Sequence, residues 1–315
     1  MRRSPFVHQQ TGALLLAFGG PRFIDEVKPF IEQVFSHRGL TPSVIDEVLS
    51  RYQRIGGKSP LYEITERQAK ALKSQLLEEG HEIEVSVGMR HWHPFIHETL
   101  KMMEAGGIRK AVCLVLSPFV TRATAGGYYE AVEEAVTALE KKIEVHFVPS
   151  WHNNPLYIEA LREKVKEGLA KFSPHRRSEV TILFTAHSLP KSLLKADPYR
   201  EQIDSTISAI TEGLPTKTWY LAFQSGRRGQ EEWLSPAVDE VVMLFAKRGM
   251  RDILLVPLSF VAEHLETLYD LDILLRDKAD ALGLRLERVP SLNDDPLFIK
   301  ALTAIILQVL TQHLW

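Results

Sequence analysis

The chain alternates short apolar runs with longer amphipathic stretches along almost its whole length. The apolar runs that predict strands are residues 12–18, 82–89, 110–117, 143–148, 180–186, 218–223, 252–259 and 284–289. The stretches between them repeat apolar or small residues at helical spacing, as Ala69, Leu72 and Leu76 do. Because parallel strands need helical crossovers that cover both faces of a sheet, this order predicts an α/β fold with buried parallel strands.

The predicted helices cover residues 65–79, 94–104, 126–141, 155–172, 198–212, 236–248, 264–281 and 295–311. The strands divide four and four around the polar segment 173–178. Each group has the same strand–helix order, which predicts two Rossmann-like halves, each a four-stranded parallel sheet flanked by helices. We place the N-terminal half at residues 1–174 and the C-terminal half at residues 175–315. The last helix is expected to pack back onto the first half.

The bulk composition argues against several classes of protein. The net charge is −2 and no Lys/Arg run stands out, which argues against nucleic acid as a partner. No apolar stretch approaches the ~20 residues that a spanning helix requires, so no transmembrane segment is expected. The single cysteine, Cys113, excludes an internal disulfide and an all-cysteine iron–sulfur cluster within the chain. A reducing, cytoplasmic setting fits this composition.

The N-terminal region allows two interpretations. Arg2 and Arg3 precede the apolar run 12–18, an order that resembles the basic and apolar regions of a signal peptide. Polar residues 8–11 interrupt that order, and Gly19-Gly20-Pro21 follows without a small-x-small cleavage pattern. We therefore interpret the run as a buried first strand that ends in a turn.

One histidine and two carboxylates are the main candidates for chemistry. His187 ends an apolar strand, and Glu266 and Asp270 follow a second apolar strand, 253–260. Ligands of open α/β sheets bind beyond the carboxyl ends of strands, so these side chains can meet in one cleft. Residues four apart share a face of a helix, which places both carboxylates on one side. This set of groups fits a site that removes protons and handles a metal ion.

The same residues also allow a purely structural interpretation. A lone histidine at a strand end is commonly hydrogen-bonded and inert. Carboxylates near the start of a helix are commonly solvated and favoured by the helix dipole. The position of the acidic segment directly after a buried strand favours the functional interpretation for Glu266 and Asp270. Asp272, by helical spacing, is expected to face solvent.

Three further motifs invite functional interpretations that we do not favour. The turn Gly19-Gly20-Pro21 lacks the spacing of a phosphate loop, and a tight turn that lets a flat group approach the backbone explains it better. His91, His93 and His97 have imaginable metal spacing without cysteine or carboxylate support. The loop at residues 55–60 contains Lys-Ser, yet no strand precedes it as a Walker loop requires.

Taken together, several segments resemble the ferrochelatases. They are LLLAFGGP at 14–21, RY at 51–52, IGGKSP at 55–60, AHSLP at 186–190, QS at 224–225 with WL at 233–234, and HLETLY at 264–269. The segments occur in the family's order and span nearly the whole chain. The resemblance implies the chelatase fold of two Rossmann-like halves and an enzyme that inserts Fe²⁺ into a porphyrin in haem biosynthesis.

The resemblance also assigns roles residue by residue. His187 and Glu266 match the family's paired metal and proton-handling residues, and Asp270 matches the next acid along that helix. The positions that resemble porphyrin-binding residues are Phe18, Arg51, Tyr52, Ser59, His91 and Tyr128. Iron is implied as a substrate, with no prosthetic group and no iron–sulfur cluster.

The chain also departs from the family's pattern. Leu274 stands four residues after Asp270, where many relatives carry a third carboxylate, so an outer relay is not expected there. Phe18 replaces a tyrosine that some short bacterial members place against the metal. The cysteines that hold an iron–sulfur cluster in other members are absent.

The porphyrin itself is expected to be coproporphyrin III. The short segment between residues 37–39 and Arg51, the sequence Gly-Gly-Lys-Ser-Pro within 55–60, and the segment 121–129 all look like the coproporphyrin enzymes. Protoporphyrin IX remains the main alternative. A sirohydrochlorin-type cobalt chelatase, a porphyrin-binding protein without turnover and a two-lobed ligand-binding module are further alternatives. We expect a monomer.

Overall fold

The computed structural model describes residues 10–36, 40–216, 218–226 and 231–313, and only the backbone of Gln10. Four strands of the first half form one parallel sheet, in the order β2-β1-β3-β4. They are β1 (Gln10–Ala17), β2 (Glu84–Met89), β3 (Ile108–Val115) and β4 (Glu144–Phe147). The apolar run at the N-terminus is thus the second strand of the sheet, with Ala13 to Leu16 fully buried. Arg2 and Arg3 lie outside the described residues.

The second sheet repeats the topology of the first. Its strands, all parallel, take the order β6-β5-β7-β8. They are β5 (Thr181–His187), β6 (Trp219–Gln224), β7 (Asp252–Pro257) and β8 (Arg285–Arg288). In each sheet the order reverses beside the first strand, which creates a crevice at the carboxyl ends of the strands. The predicted fold class, two four-stranded parallel sheets flanked by helices, is confirmed.

Helices cover the faces of both sheets. They are α1 (Val27–Val34), α2 (Pro42–Arg54), α3 (Leu61–Glu78), α4 (Ile96–Ala105), α5 (Arg122–Thr137), α6 (Pro155–Ala170), α7 (Tyr199–Thr211), α8 (Val238–Lys247), α9 (Arg276–Ala281) and α10 (Pro296–Gln312). A π-helix, Glu266–Leu275, runs directly into α9. Among the described residues, no helix has the length and apolarity to cross a membrane.

Two helices were not predicted from the sequence. α1 buries Val27, Phe30 and Ile31, and α2 buries only Tyr52. The apolar residues of both helices recur at helical spacing, as Val27, Phe30, Ile31 and Val34 do in α1, so the sequence contained a signal that the prediction did not use. The two helices pack on each other in a small separate cluster beside the first sheet.

The two sheets share one apolar core. A single continuous cluster includes Leu15 of β1 and Val256 of β7. Helix α10 packs against α3 and α6, and its Phe298 lies 6.1 Å from the ring of Trp151 between centroids. Just before α10, Asp294 accepts two hydrogen bonds from Arg67 of α3, at 3.0 and 3.1 Å. The boundary at residue 174 remains a prediction.

Close packing at one glycine joins α6 to the second sheet. A Cβ atom at Gly168 would lie 2.7 Å from Leu254 Cδ1 and 3.0 Å from Val289 Cγ2. Both neighbours are buried side chains, on β7 and just after β8. The missing side chain therefore lets the helix approach the sheet more closely than any other residue would allow.

We expect Gly168→Ala to destabilise the protein. Overpacking against Leu254 should outweigh the better helix propensity of alanine and lower the free energy of unfolding by about 1–2 kcal/mol. Urea denaturation measures this change. Gly126→Ala in α5 is the matched control, because its Cβ would come no closer than 4.0 Å to another group, and it should not destabilise. Equal stability of the two variants would contradict the close approach.

Candidate active site

The candidate site lies at the carboxyl ends of the second sheet's central strands. His187 is the last residue of β5, Ser225 directly follows β6, and Ser259 lies two residues beyond β7. Because β5 lies between β6 and β7, these three polar residues emerge side by side. The site therefore sits at the point where the strand order reverses, where ligands of such sheets bind.

His187 and Glu266 are in direct contact. The Nδ1 atom of His187 lies 3.1 Å from Oε2 of Glu266, the first residue of the π-helix. Their side chains keep 34% and 29% of their surface exposed, so a ligand can reach both. The sequence predicted that these two residues would meet, and the structure brings them together.

The backbone of His187 is fixed from two sides. Its N–H donates to the Ser259 hydroxyl at 3.0 Å, and its carbonyl accepts from the Tyr199 hydroxyl at 2.9 Å. Tyr199 and Ser259 also hydrogen-bond each other, at 3.1 Å. Tyr199 is buried, so this arrangement holds the imidazole in one direction rather than leaving it on a mobile loop. Neither partner was predicted from the sequence.

Ser225 holds Glu266 from the other side. The Ser225 hydroxyl donates to Glu266 Oε2 at 2.5 Å, so the hydroxyl and His187 both contact the same carboxylate oxygen. Ser225 has a φ of +62°, a left-handed conformation that is uncommon for a residue with a side chain. Ser225 lies within one of the segments that resemble the family, but no role was predicted for it from the sequence. A polar residue after each of β5, β6 and β7 was the available signal.

The charge state of Glu266 follows from these contacts. Burial by itself raises the pKa of the carboxyl, but the His187 imidazole opposes that effect by its charge and hydrogen bond. His264 and the Ser225 hydroxyl add to this opposition, and the pKa of Glu266 is lowered to about 2. Glu266 is therefore ionised at neutral pH and accepts the Nδ1–H of His187.

Asp270 has the opposite shift. Burial, followed by the negative charge of Glu266, raises the pKa of Asp270 to about 6. Arg51 from α2 opposes this shift only partly, since its guanidinium lies 3.8 Å from the carboxylate. The two acids that the sequence placed on one helical face thus have pKa values on either side of the usual carboxyl range.

The helix that carries both acids is a π-helix. Its hydrogen bonds run from i to i+5, a rare geometry that occurs mostly at functional sites. Each turn holds more than four residues, so Glu266 and Asp270 still share one side. The predicted helix was confirmed, but its type could not be predicted from apolar spacing.

A buried arginine holds the π-helix in place. Arg288 of β8 donates to Asp272 at 2.7 and 2.5 Å and to Glu263 at 3.0 Å. Glu263 also accepts from the backbone N–H of Ser291 at 2.8 Å. The expectation that Asp272 faces solvent was wrong, because the wider helix turns its carboxylate toward the adjacent strand, where the guanidinium neutralises it.

Residues of the first half that resemble porphyrin-binding positions fall into two groups. Phe18 and Arg51 are accessible, with Phe18 45% exposed. Tyr52 and Ser59 are buried, and Tyr128 lies in the apolar core on one face of the first sheet. Burial, together with the charge of Glu266, raises the pKa of the Tyr52 phenol. Their roles toward a ligand remain predictions.

His91 lies beside Phe18 at the end of the first sheet. The two rings are 4.5 Å apart between centroids, and the His91 amide donates to the Phe18 carbonyl at 2.9 Å. Burial, followed by the charge of Arg90, lowers the pKa of His91 to about 4. The imidazole is therefore neutral at neutral pH, and the two rings, tilted by 47° to each other, form an uncharged surface.

The glycine turn after β1 has a structural explanation. Gly19 has a φ of +97°, and a Cβ there would lie 2.9 Å from the Trp92 backbone nitrogen. A Cβ at Gly20 would lie 2.8 Å from Ser59. We expected a flat ligand group to approach this backbone, but the protein's own Trp92 and Ser59 occupy those positions.

The remaining candidate metal ligands do not form a cluster in the structure. His93 pairs with Glu98 at 3.0 Å, and the ring of His97 stacks on Phe95. Cys113 is fully buried, and burial raises the pKa of its thiol to about 12, so it is no thiolate donor. Throughout the described ranges, no three His, Cys, Asp or Glu side chains are placed to hold a metal ion together.

Comparisons with known proteins identify the family and support the fold. The family model named Ferrochelatase matches residues 10–310. A ferrochelatase of Geotalea uraniireducens strain Rf4 is 39% identical over 316 residues, covering 95% of this chain and 97% of its own. A ferrochelatase of Deinococcus radiodurans strain R1 is 34% identical over 298 residues, covering 94% of each chain.

Solved structures with the same fold are more distant in sequence. The sirohydrochlorin chelatase SirB from Bacillus subtilis subspecies spizizenii, in complex with cobalt, has a TM-score of 0.56 at 10% identity and covers 95% of this chain and 94% of its own. SirB from Bacillus subtilis with Fe³⁺ has a TM-score of 0.58 at 10% identity, covering 95% of each chain. These likenesses support the fold, whereas the family match and the curated relatives extend over nearly the whole chain. The chain belongs to the ferrochelatase family.

Proposed function

We propose that this ferrochelatase inserts Fe²⁺ into coproporphyrin III, with His187, Glu266 and Asp270 as the residues that handle protons and iron. The observation that carries the proposal is the 3.1 Å contact between His187 Nδ1 and Glu266 Oε2 at the accessible strand ends. An imidazole and two carboxylates supply both the proton acceptors and the exchangeable ligands that metallation of a porphyrin needs.

His187 is proposed as the residue that takes a pyrrole proton. Metallation removes two such protons, and the nitrogen lone pairs must be exposed by bending the ring. Because the ionised Glu266 accepts the Nδ1–H, the basic lone pair of the neutral imidazole is at Nε2. That nitrogen can accept a proton or bind Fe²⁺, and Glu266 stabilises the imidazolium after the transfer.

Asp270 is proposed to pass the proton onward. Its pKa of about 6 lies close to neutral pH, so the group can both accept and release a proton there. Leu274 follows on the same helix and carries no charge. Arg51 lies between Asp270 and Glu47, at 3.8 and 2.5 Å, and connects the π-helix to α2 at the surface.

The porphyrin is proposed to lie between the strand ends of the two halves. The adjacent rings of Phe18 and His91, 4.5 Å apart between centroids, support an uncharged aromatic wall on the side of the first sheet. The support for coproporphyrin III over protoporphyrin IX comes from the sequence at residues 55–60 and 121–129. The residues 37–39, which bound the short segment before Arg51, lie outside the described residues.

Other functions have weaker support. A sirohydrochlorin-type cobalt chelatase shares the fold, but the likeness to SirB is at 10% identity and concerns the fold alone. A porphyrin-binding protein without turnover leaves the paired His187 and Glu266 without a role. A two-lobed binding module needs two separable halves, whereas one apolar core runs through both sheets. A monomeric state and a cytoplasmic setting are part of the proposal.

We expect His187→Ala to lower iron insertion at least about 100-fold while the porphyrin still binds, because the proton acceptor is lost. Glu266→Gln should be similarly damaging, since a neutral amide cannot stabilise the imidazolium. Anaerobic incubation with Fe²⁺ and porphyrin, followed by absorbance, measures the rate. His175→Ala, at an exposed position in the turn Pro174–Arg176, is the control. Unchanged turnover in His187→Ala would remove the proposed mechanism.

We expect Asp270→Asn to stabilise the protein at pH 7.5. The raised pKa means that wild-type stability falls as pH rises from about 4 to 6 and stays lower above that range. The variant lacks this loss, so its free energy of unfolding should be higher than that of the wild type by about 1–2 kcal/mol. This is less than the full pKa shift implies, because the carboxyl is partly exposed.

Urea unfolding at pH 7.5 and at pH 4 measures the stability difference. It should shrink to a small fraction at the lower pH, where Asp270 is protonated in the folded state and partly protonated in the unfolded state. Asp280→Asn, at an exposed position of α9, is the control and should show no such dependence on pH. An equal gain at both pH values would contradict the assigned origin of the effect.

The substrate choice predicts a ratio of kcat/KM values. Wild-type protein should metallate coproporphyrin III about tenfold or more faster than protoporphyrin IX, a difference of ~1.4 kcal/mol in the barrier. Parallel initial-rate measurements with both porphyrins, under the same anaerobic conditions, give this ratio. A clear preference for protoporphyrin IX would overturn the substrate assignment but leave the chelatase reaction in place.

A further inference from the structure

Arg90 crosses the carboxyl edge of the first sheet. It directly follows β2, and its backbone N–H donates to the carbonyl of Ala17 at the end of β1, at 2.9 Å. Its guanidinium carbon lies 5.5 Å from the ring centroid of Tyr128 in α5, the helix that follows β3. The side chain therefore reaches over the point where the strand order reverses, the position equivalent to that of His187 in the second sheet.

A glycine in α5 makes room for this guanidinium. A Cβ at Gly127 would lie 2.0 Å from Nη2 and 2.3 Å from Cζ of Arg90. Glycine inside a helix is less favourable than alanine, so this position carries a local cost to stability. The neighbouring Gly126 has no such contact, since its Cβ would come no closer than 4.0 Å to Arg122. The space left by the missing side chain of Gly127, called the notch below, and the ring of Tyr128 together hold Arg90 in one orientation.

The held guanidinium has no carboxylate partner in the part of the chain that the structure describes. Two other arginines of the first half have carboxylate partners. Arg22 pairs with Glu26, and Arg51 pairs with Glu47 and Asp270. Arg90 is an exposed residue. Its planar donors are therefore oriented but available, which is the state that favours an incoming carboxylate.

The surface beside Arg90 consists of two uncharged rings that are tilted by 47° to each other. His91, the next residue, contacts the ring of Phe18, and its imidazole is neutral at neutral pH. A fixed cation at the rim of an aromatic surface matches a planar ligand with acidic arms, whose ring lies on the surface while an arm reaches the cation.

We propose that Arg90, held by Gly127 and Tyr128, binds a propionate carboxylate of the porphyrin and fixes the orientation of the ring in the cleft. This inference rests on the proposed function for the identity of the ligand. It adds a binding residue on the first half that faces the same cleft as the His187–Glu266 pair on the second half.

Equilibrium binding tests the proposal without metal. The wild type, Arg90→Gln, Gly127→Ala and Gly126→Ala are titrated with coproporphyrin III and with its tetramethyl ester in the same detergent-containing buffer, followed by quenching of protein fluorescence. Gly127→Ala keeps the charge and improves helix propensity, but its methyl group displaces the guanidinium. Gly126→Ala is the matched control in the same helix.

We expect Arg90→Gln and Gly127→Ala each to bind the free acid about tenfold more weakly, the size of one partly exposed charge-assisted hydrogen bond. Gly126→Ala should bind like the wild type, and the ester should bind all four proteins equally. Wild-type affinity in either Arg90→Gln or Gly127→Ala would overturn the proposal. An equal loss for the acid and the ester would also overturn it, because the residue would then act by shape alone.

This result is separable from the iron-insertion assay. If wild-type protein inserts iron while both variants bind coproporphyrin III normally, the Arg90 site is wrong and the proposed function stands. If the variants lose affinity for the free acid while wild-type protein inserts no iron, the carboxylate site stands and the proposed function fails.

Discussion

The contact between the His187 imidazole and the Glu266 carboxylate is the interaction on which the site depends. The contact joins the end of β5 to the first residue of the π-helix. Because β5 lies between β6 and β7, Ser225 can hold the Glu266 side chain and Ser259 can hold the His187 backbone. An ionised carboxylate fixes the tautomer of the imidazole, and the imidazole in turn keeps the carboxylate ionised. Each group therefore sets the chemical state of the other.

The π-helix combines stabilising and destabilising charges. Arg288 neutralises Glu263 and Asp272 and anchors the helix to β8. Removal of the guanidinium would take away the cation that Glu263 contacts and leave Asp272 with Arg276, 3.7 Å away. On the other side of the same helix, Asp270 stays close to the like charge of Glu266 with only partial help from Arg51. The first set of contacts supplies the stability that lets the second set keep a reactive, less stable arrangement.

The two halves use the same topology for different chemistry. In the second sheet, the crevice beside the first strand carries the paired His187 and Glu266, for which we propose proton transfer. In the first sheet, the equivalent crevice is bordered by the uncharged rings of Phe18 and His91 and by the oriented guanidinium of Arg90. Since one apolar core runs through both sheets and α10 packs on α3 and α6, the two crevices have a fixed relation to each other. A ligand between them would be held by one half and modified by the other.

The sequence by itself determined the strand order along the chain, the parallel sheets and the principal site pair, because apolar runs of strand length and polar residues at strand ends are local signals. The helices α1 and α2 were not predicted, although their apolar residues recur at helical spacing. Only the tertiary structure decided the π-helical geometry, the ion pair of Asp272 with Arg288, the left-handed conformation of Ser225 and the notch at Gly127. Each of these depends on a partner far away in the chain, such as Arg288 for Asp272 and Arg90 for Gly127, and no local pattern encodes which distant residue will fill a given space or neutralise a given charge.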